Sequence, residues 1–180
     1  MKRICIFIDG SNLFHNLKNI WNNAKIDFTR FSVEICNKIS IEFNEEMKLI
    51  RTYYYNAPYD RTAEPEKVKD QQKFFDMLNR LSKFETKLGR LERRGNIYVE
   101  KEVDITLAVD MLSLARKDLY DIGVLVSDDG DFKSVLHELK DIGKIPVFAG
   151  FSHTRVLLNE SDLFIDLRKD VINKDLFTDT

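Results

Sequence analysis

Breakers and cross-links are scarce in this chain. Its 180 residues include seven glycines, three prolines and two cysteines. So little glycine and proline leaves no Gly/Ser linker and no Pro-rich segment, and no internal repeat or low-complexity run is present. Two cysteines exclude a disulfide-dense scaffold. Cys5 lies in an apolar, strand-like run and Cys36 in a helical pattern, so both read as reduced core residues. The three histidines, His15, His137 and His153, are scattered and none reads as catalytic. No Cys/His spacing suggests zinc. Long apolar runs are missing too. The longest, Ile4 to Ile8, has five residues, against the ~20 that a membrane helix needs. Following Lys2 and Arg3, it is also too short for a secretory signal. The expectation is a cytoplasmic protein with no membrane contact.

What is present suits one globular domain. The hydrophobic fraction is 43% and the aromatic fraction 11%, and 180 residues suffice to bury a sizeable core. The net charge of −2 excludes any argument for polyanion binding from bulk charge. Its distribution says more. Residues 80–101 hold seven basic side chains against three acidic, and residues 102–131 hold eight acidic against two basic. A basic stretch beside an acidic one suits a site that holds cations and meets a polyanion; two solvated faces would read the same way.

Strand-like and helical patterns alternate. Arg3 to Ile8 reads as a buried strand, followed by a turn at Asp9-Gly10-Ser11-Asn12. Leu13, Leu17 and Ile20 mark a first helix, and Phe31, Ile35 and Ile39 a second. Leu49 to Asn56 reads as a strand, and its Tyr53-Tyr54-Tyr55 as half-buried sheet rather than a base-stacking platform. A third helix runs over about 66–83, then a strand over Glu85 to Arg93. Val103 to Arg116 is a helix with a broad apolar face, and Ile122 to Val126 a buried strand. Phe132 to Ile142 is a helix capped by Gly143, and Ile145 to Ala149 a strand. Val156 to Leu158 looks helical, Leu163 to Leu167 strand-like, and Arg168 to Thr180 a helical or frayed end, so that a domain spans 1–168 and a C-terminal tail 169–180. This alternation implies βαβ units, a mostly parallel sheet and a three-layer α/β/α architecture. Ligands of such sheets bind beyond the carboxyl ends of the strands, where strand order reverses.

The carboxylates gather at that edge. Asp9 follows the first strand; Ser127, Asp128, Asp129 and Asp131 follow a later one; Asp104 sits at a helix start. Like charges brought together there repel, and a cation is the natural remedy. An oxygen-only donor set selects a hard ion, Mg²⁺ or Mn²⁺, and one or two such ions can activate water against a phosphodiester. Taken singly, Asp131 and Asp104 also suit helix caps or first turns. Asn12 can brace Asp9, bind a phosphate oxygen, or cap a helix. Ser127 can bond the loop that presents Asp129, or simply fill a turn. Asp104 and Asp110 are six apart, roughly 240° around a helix axis, and cannot both face one metal; Asp110 is expected to pair with a basic group. Arg51 and the group containing Arg93, Arg94 and Lys101 are candidate phosphate contacts. Asp128-Asp129-Gly130-Asp131 lacks the remainder of an EF-hand loop, and neither a phosphate-loop nor a dinucleotide glycine motif is present.

Together, Ile6-Phe7-Ile8-Asp9-Gly10-Ser11-Asn12-Leu13, Lys101-Glu102-Val103-Asp104-Ile105 and Ser127-Asp128-Asp129-Gly130-Asp131-Phe132 resemble the NYN domain family. The likeness is to its bacterial LabA-like branch, within the PIN-like superfamily, over roughly residues 3–168. The Tyr-rich strand and Leu107-Ala108-Val109-Asp110-Met111 also look like that branch. The resemblance implies a PIN-like fold and a metal-dependent nuclease site acting on RNA. In it Asp9, Asp104, Asp129 and Asp131 are the acids, with Asn12 and Ser127 as companions. Asp128 and Glu102 stand where glycine is common in the family, adding negative charge near the site. The expected activity is an Mg²⁺- or Mn²⁺-dependent ribonuclease whose partner is RNA, single-stranded or structured; a homo-oligomer is compatible with these features. The alternative is a non-catalytic RNA-binding or regulatory adaptor that keeps the acidic pocket. A phosphatase of the haloacid dehalogenase type would want an aspartate where Ser11 stands.

Overall fold

The computed structural model describes residues 1–21, 25–59, 65–94, 97–173 and 176–177, with only the backbone course for 90–94 and 97–101. The chain begins with β1 (Lys2–Asp9), α1 (Gly10–Trp21), α2 (Phe28–Phe43), β2 (Met47–Asn56), α3 (Pro65–Arg80) and β3 (Phe84–Leu88). A hairpin of β4 (Arg90–Arg94) and β5 (Ile97–Lys101) leads into α4 (Val103–Arg116) and β6 (Ile122–Val126). A 3₁₀ turn (Gly130–Phe132) then opens α5 (Lys133–Asp141), followed by β7 (Ile145–Gly150), α6 (Arg155–Glu160) and β8 (Leu163–Asp166). A π-helical turn, Leu167–Val171, follows.

Six strands form one sheet in the order β3-β2-β1-β6-β7-β8. Every neighbouring pair is parallel, so the fold is three-layer α/β. β1 is central and buried on both faces because its residues alternate between two cores. Ile4, Ile6 and Ile8 meet Leu13, Phe31, Ile35, Ile39 and Leu78 of the α1–α3 layer. Cys5 and Phe7 meet Leu107, Met111, Leu136 and Phe148 on the opposite side. The chain winds outward from β1 through β2 to β3, then restarts at β6 on the other flank. The strand order therefore reverses between β1 and β6, and ligands of such sheets bind beyond the ends of the two strands at that point.

Several expectations hold. α4 and β6 have the predicted limits, and Gly143 ends α5 at φ +76° with its N–H on the Lys140 carbonyl. Tyr53, Tyr54 and Tyr55 are buried in β2. Cys5 and Cys36 are free thiols, and burial pushes them up to about 11 and about 12 respectively. No described helix is long and apolar enough to cross a membrane.

Others are corrected. Asp9 to Asn12 is no separate turn: α1 starts at Gly10, because the Asp9 carboxylate accepts the Asn12 N–H at 3.1 Å and caps the helix directly. The strand expected over Glu85 to Arg93 breaks at Gly89, whose N–H turns to the Asn56 carbonyl at 2.9 Å; beyond it stands the antiparallel hairpin. The described residues of the tail are helical through the π turn and packed beyond it. Val171, Ile172 and Leu176 are buried in the α1–α2 core, and the Leu176 carbonyl takes the Asp27 N–H at 2.9 Å.

Candidate active site

Asp9 anchors the site. It ends β1 in register with Tyr55 of β2 and is 6% exposed. One carboxylate oxygen accepts the Asn12 N–H; the other accepts the Ser127 hydroxyl at 2.9 Å. Burial raises the Asp9 pKa; these two donors oppose the rise, and the carboxylates of Asp104 and Asp129 push it further up. Asp9, Asp104 and Asp129, from three separate stretches of chain, thus share one electrostatic neighbourhood.

Ser127 does double duty: while donating to Asp9 it accepts the Asp129 N–H at 3.1 Å. The Asp129 side chain in turn accepts the Asp131 N–H at 2.9 Å and caps the 3₁₀ turn. Asp131 is exposed, and Asp104 stands exposed in the first turn of α4. Among the described residues, no three Asp, Glu, His or Cys side chains converge closely enough to hold one ion. The donor chemistry nevertheless fits a hard divalent cation: the donors are all oxygen, and the repulsion acting on Asp9 is what such an ion relieves.

Two residues work differently from expectation. The backbone N–H of Asn12, not its side chain, holds Asp9. The Asn12 side-chain oxygen instead accepts the Asp128 N–H at 3.2 Å and the Asn16 amide at 3.0 Å, tying α1 to the loop after β6. Asp128 is not a spare negative charge facing substrate. Its carboxylate accepts the N–H groups of Phe151 and Ser152 and the Ser152 hydroxyl, at 2.9 to 3.1 Å, and its carbonyl accepts the Thr154 hydroxyl. Asp128 therefore fixes the β7–α6 loop beside the site. A Cβ at Gly150 would stand 2.5 Å from that carboxylate and from the Phe148 ring, so glycine is required there. Gly10 is likewise pressed against Tyr54, 2.5 Å from where its Cβ would be.

Asp110 accepts the Tyr55 hydroxyl at 2.9 Å, a phenol rather than the expected basic partner, although Lys87 feels its charge. Arg51 pairs with Glu85 at 3.4 Å. It lies four residues before Tyr55 on β2, about 13 Å back from the Asp9 edge at ~3.3 Å per residue, so it is not brought to the site. Arg93, Arg94 and Lys101 lie in the hairpin, where Arg93 is in register with Tyr98 and Lys101 with Arg90; their side chains are outside the described residues. Sequence reasoning missed Asn16 and Gly150, and Asn56, which accepts the Ser11 hydroxyl at 3.3 Å. The spacing of Asn16 four residues after Asn12, on one helix face, was the only available signal.

A parallel three-layer sheet thus presents carboxylates at its switch point, where α/β proteins bind their ligands. The comparisons sharpen this. The NYN domain model matches residues 3–168, and the chain belongs to the NYN domain family, within the PIN-like nuclease superfamily. A crystal structure of a protein of unknown function from Vibrio parahaemolyticus superposes with a TM-score of 0.69 at 19% identity, covering 98% of this chain and 96% of that one. At that identity the likeness establishes the shared fold. No curated protein matches.

Proposed function

We propose that this protein is a ribonuclease that hydrolyses RNA phosphodiesters with Mg²⁺ or Mn²⁺, ligated by Asp9 with Asp104 or Asp129 and otherwise by water, with Asp131 at the rim. The observation that carries the reading is the hydrogen-bonded chain from the buried Asp9 through Ser127 to Asp129 at the switch point, with Asp104 in the first turn of α4. Membership of a nuclease superfamily supports it. When bound, the ion supplies Lewis acidity, lowering the pKa of water and offsetting charge that builds on the phosphodiester. The chain's own residues prepare its place. Asn12 N–H and the Ser127 hydroxyl fix both oxygens of Asp9, and Ser127 sets the position of Asp129. Asn12 and Asp128 hold the surrounding loops. Arg93, Arg94 and Lys101 serve as phosphate contacts from the hairpin.

The test is cleavage of single-stranded and structured RNA with Mg²⁺, Mn²⁺ or chelator, comparing wild type with Asp9→Asn and Asp129→Asn. Metal-dependent cleavage lost in both variants supports the reading; equal rates in all three proteins overturn it. A second reading, an RNA-binding adaptor without cleavage, draws on the absence of three close ligand side chains among the described residues. Calorimetry with Mn²⁺ separates the two, because the adaptor predicts no binding that Asp129→Asn removes.

A further inference from the structure

Most basic side chains around β6, β7 and β8 are paired. Lys144 meets Asp118 at 2.6 Å, Lys140 meets Asp162 at 3.8 Å, and Arg116 meets Glu138 at 2.5 Å. Arg168 and Lys169 share Asp166 at 3.5 and 3.6 Å. Two cations beside the acidic loop are different. Arg155 and Lys133 are exposed, and their side chains make no hydrogen bond or ion pair with any described residue.

Both are carried by the segments that position Asp129. Lys133 opens α5 directly after the 3₁₀ turn that the Asp129 carboxylate caps, two residues past Asp131. Arg155 is the first residue of α6. Before it, Thr154 donates its hydroxyl to the Asp128 carbonyl at 3.0 Å. After it, Val156 presses on Gly130, where a Cβ would stand 2.9 Å from the Val156 Cγ2. The backbone of Arg155 is thus tied to residues 128–130 by the residues on either side of it. The Asp128 carboxylate holds the rest of that loop through the Phe151 and Ser152 N–H groups.

The strand order sets this pair across the site from the hairpin. β3, which leads into β4 and β5, is an edge strand on the β2 flank, and β7 lies beyond the switch point on the other. The carboxylates therefore have basic residues on both flanks. A nucleic-acid strand needs that arrangement. Carboxylates repel its phosphates except where a cation intervenes, so the neighbouring phosphates must be met by side chains of opposite charge. A guanidinium or ammonium without a partner gives up no ion pair on meeting phosphate, and a guanidinium can donate two N–H groups to it.

We infer that Arg155 and Lys133 bind RNA backbone phosphates on the β7 side of the acidic centre, so that the strand runs from the hairpin across Asp9 and Asp129 to the start of α6. The inference takes its substrate from the ribonuclease reading above and adds where the strand leaves the site.

Fluorescence anisotropy of a short single-stranded RNA across a salt series tests this, with the full chain carrying Asp9→Asn so that cutting does not intervene. Adding Arg155→Ala or Lys133→Ala should each take about 0.7 off the slope of log affinity against log salt, or about fivefold in affinity at 0.1 M salt. Lys117→Ala is the control. It removes the same charge from an exposed site about 20 Å from Asp104 along α4, at ~1.5 Å per residue, and should leave the slope unchanged. In cleavage assays without Asp9→Asn, Arg155→Ala should raise KM and keep kcat. Slopes that Arg155→Ala and Lys133→Ala leave unchanged, or that Lys117→Ala lowers as much, overturn the inference even if the wild type cuts RNA. RNA bound with the expected slopes but left uncut by the wild type supports the inference and overturns hydrolysis. A chain that binds no RNA overturns both.

Discussion

Asp9→Asn should make the metal-free protein more stable while removing its response to metal. The ionised carboxylate is 6% exposed, and burying such a group costs several kcal/mol. The Asn12 N–H and the Ser127 hydroxyl each return about 1.5–3 kcal/mol as charge-assisted hydrogen bonds. The Asp9 pKa is nevertheless raised, with Asp104 and Asp129 adding to burial, so a net penalty on the charged form survives both donors. Asparagine has the same shape, keeps an acceptor for Asn12 and carries no charge. A gain in stability follows, each kcal/mol of it worth roughly 2–4 °C in Tm for a chain of this size. The sign with pH is fixed: a carboxyl whose folded pKa is raised carries no penalty below the ordinary value of 3.8 and the full penalty above the raised one. The advantage of Asn should therefore shrink on acidification. With saturating Mn²⁺ the ranking should invert, because a ligand at 100 times its Kd stabilises the wild type by about 2.7 kcal/mol. Thermal and urea melts at neutral and acid pH, with chelator and with Mn²⁺, read all of this. Asp9→Asn less stable than wild type in chelator, with no inversion on adding metal, would refute the electrostatic reasoning.

Ser127→Ala should lose the hydrogen bond to Asp9, lowering stability by about 1–2 kcal/mol in urea melts and Mn²⁺ affinity about 10- to 100-fold by calorimetry. Gly150→Ala should drive a methyl into the Asp128 carboxylate, which three N–H and O–H groups pin in place. The expected loss is about 1–3 kcal/mol, and hydrogen exchange should show the loop at 151–154 opening. Asp121 accepts the Arg3 N–H and two guanidinium N–H groups at 2.7 to 3.1 Å, and the guanidinium holds its carboxyl down to about 2. Its contribution is full above 3.8 and disappears as pH falls through about 2. With both side chains about one-third exposed, Asp121→Asn should cost about 1 kcal/mol at neutral pH after screening, a gap that urea melts should find closing toward pH 2.

The sheet was legible wherever burial dictates composition. Ile4 to Ile8 reads as a strand because both of its faces are covered, and α4 and β6 announce their limits through unbroken apolar patterns ending at charged or turn residues. The hairpin of β4 and β5 was missed because it stands outside the main sheet and six of its ten strand residues are charged, which hides the alternation that marks a strand. Gly95-Asn96 between two short runs was the overlooked turn signal. At the site, Asp9, Ser127 and Asp129 could be anticipated from their places at strand ends. Asp128 could not: beside the Ser152 hydroxyl and the Asn16 amide, it is held by backbone N–H groups of Phe151 and Ser152, which leave no trace in residue identity. For the same reason the sequence leaves the role of Asn12 open between bracing Asp9, binding phosphate and capping a helix, whereas it is the backbone N–H of that residue that holds Asp9.

The most direct measurement is the anomalous scattering of Mn²⁺ in a crystal of this protein. The account predicts one strong peak beyond the ends of β1 and β6, with carboxylate oxygens of Asp9 and of Asp104 or Asp129 within ~2–2.5 Å. A peak that excludes Asp9, or no peak at saturating Mn²⁺, contradicts it.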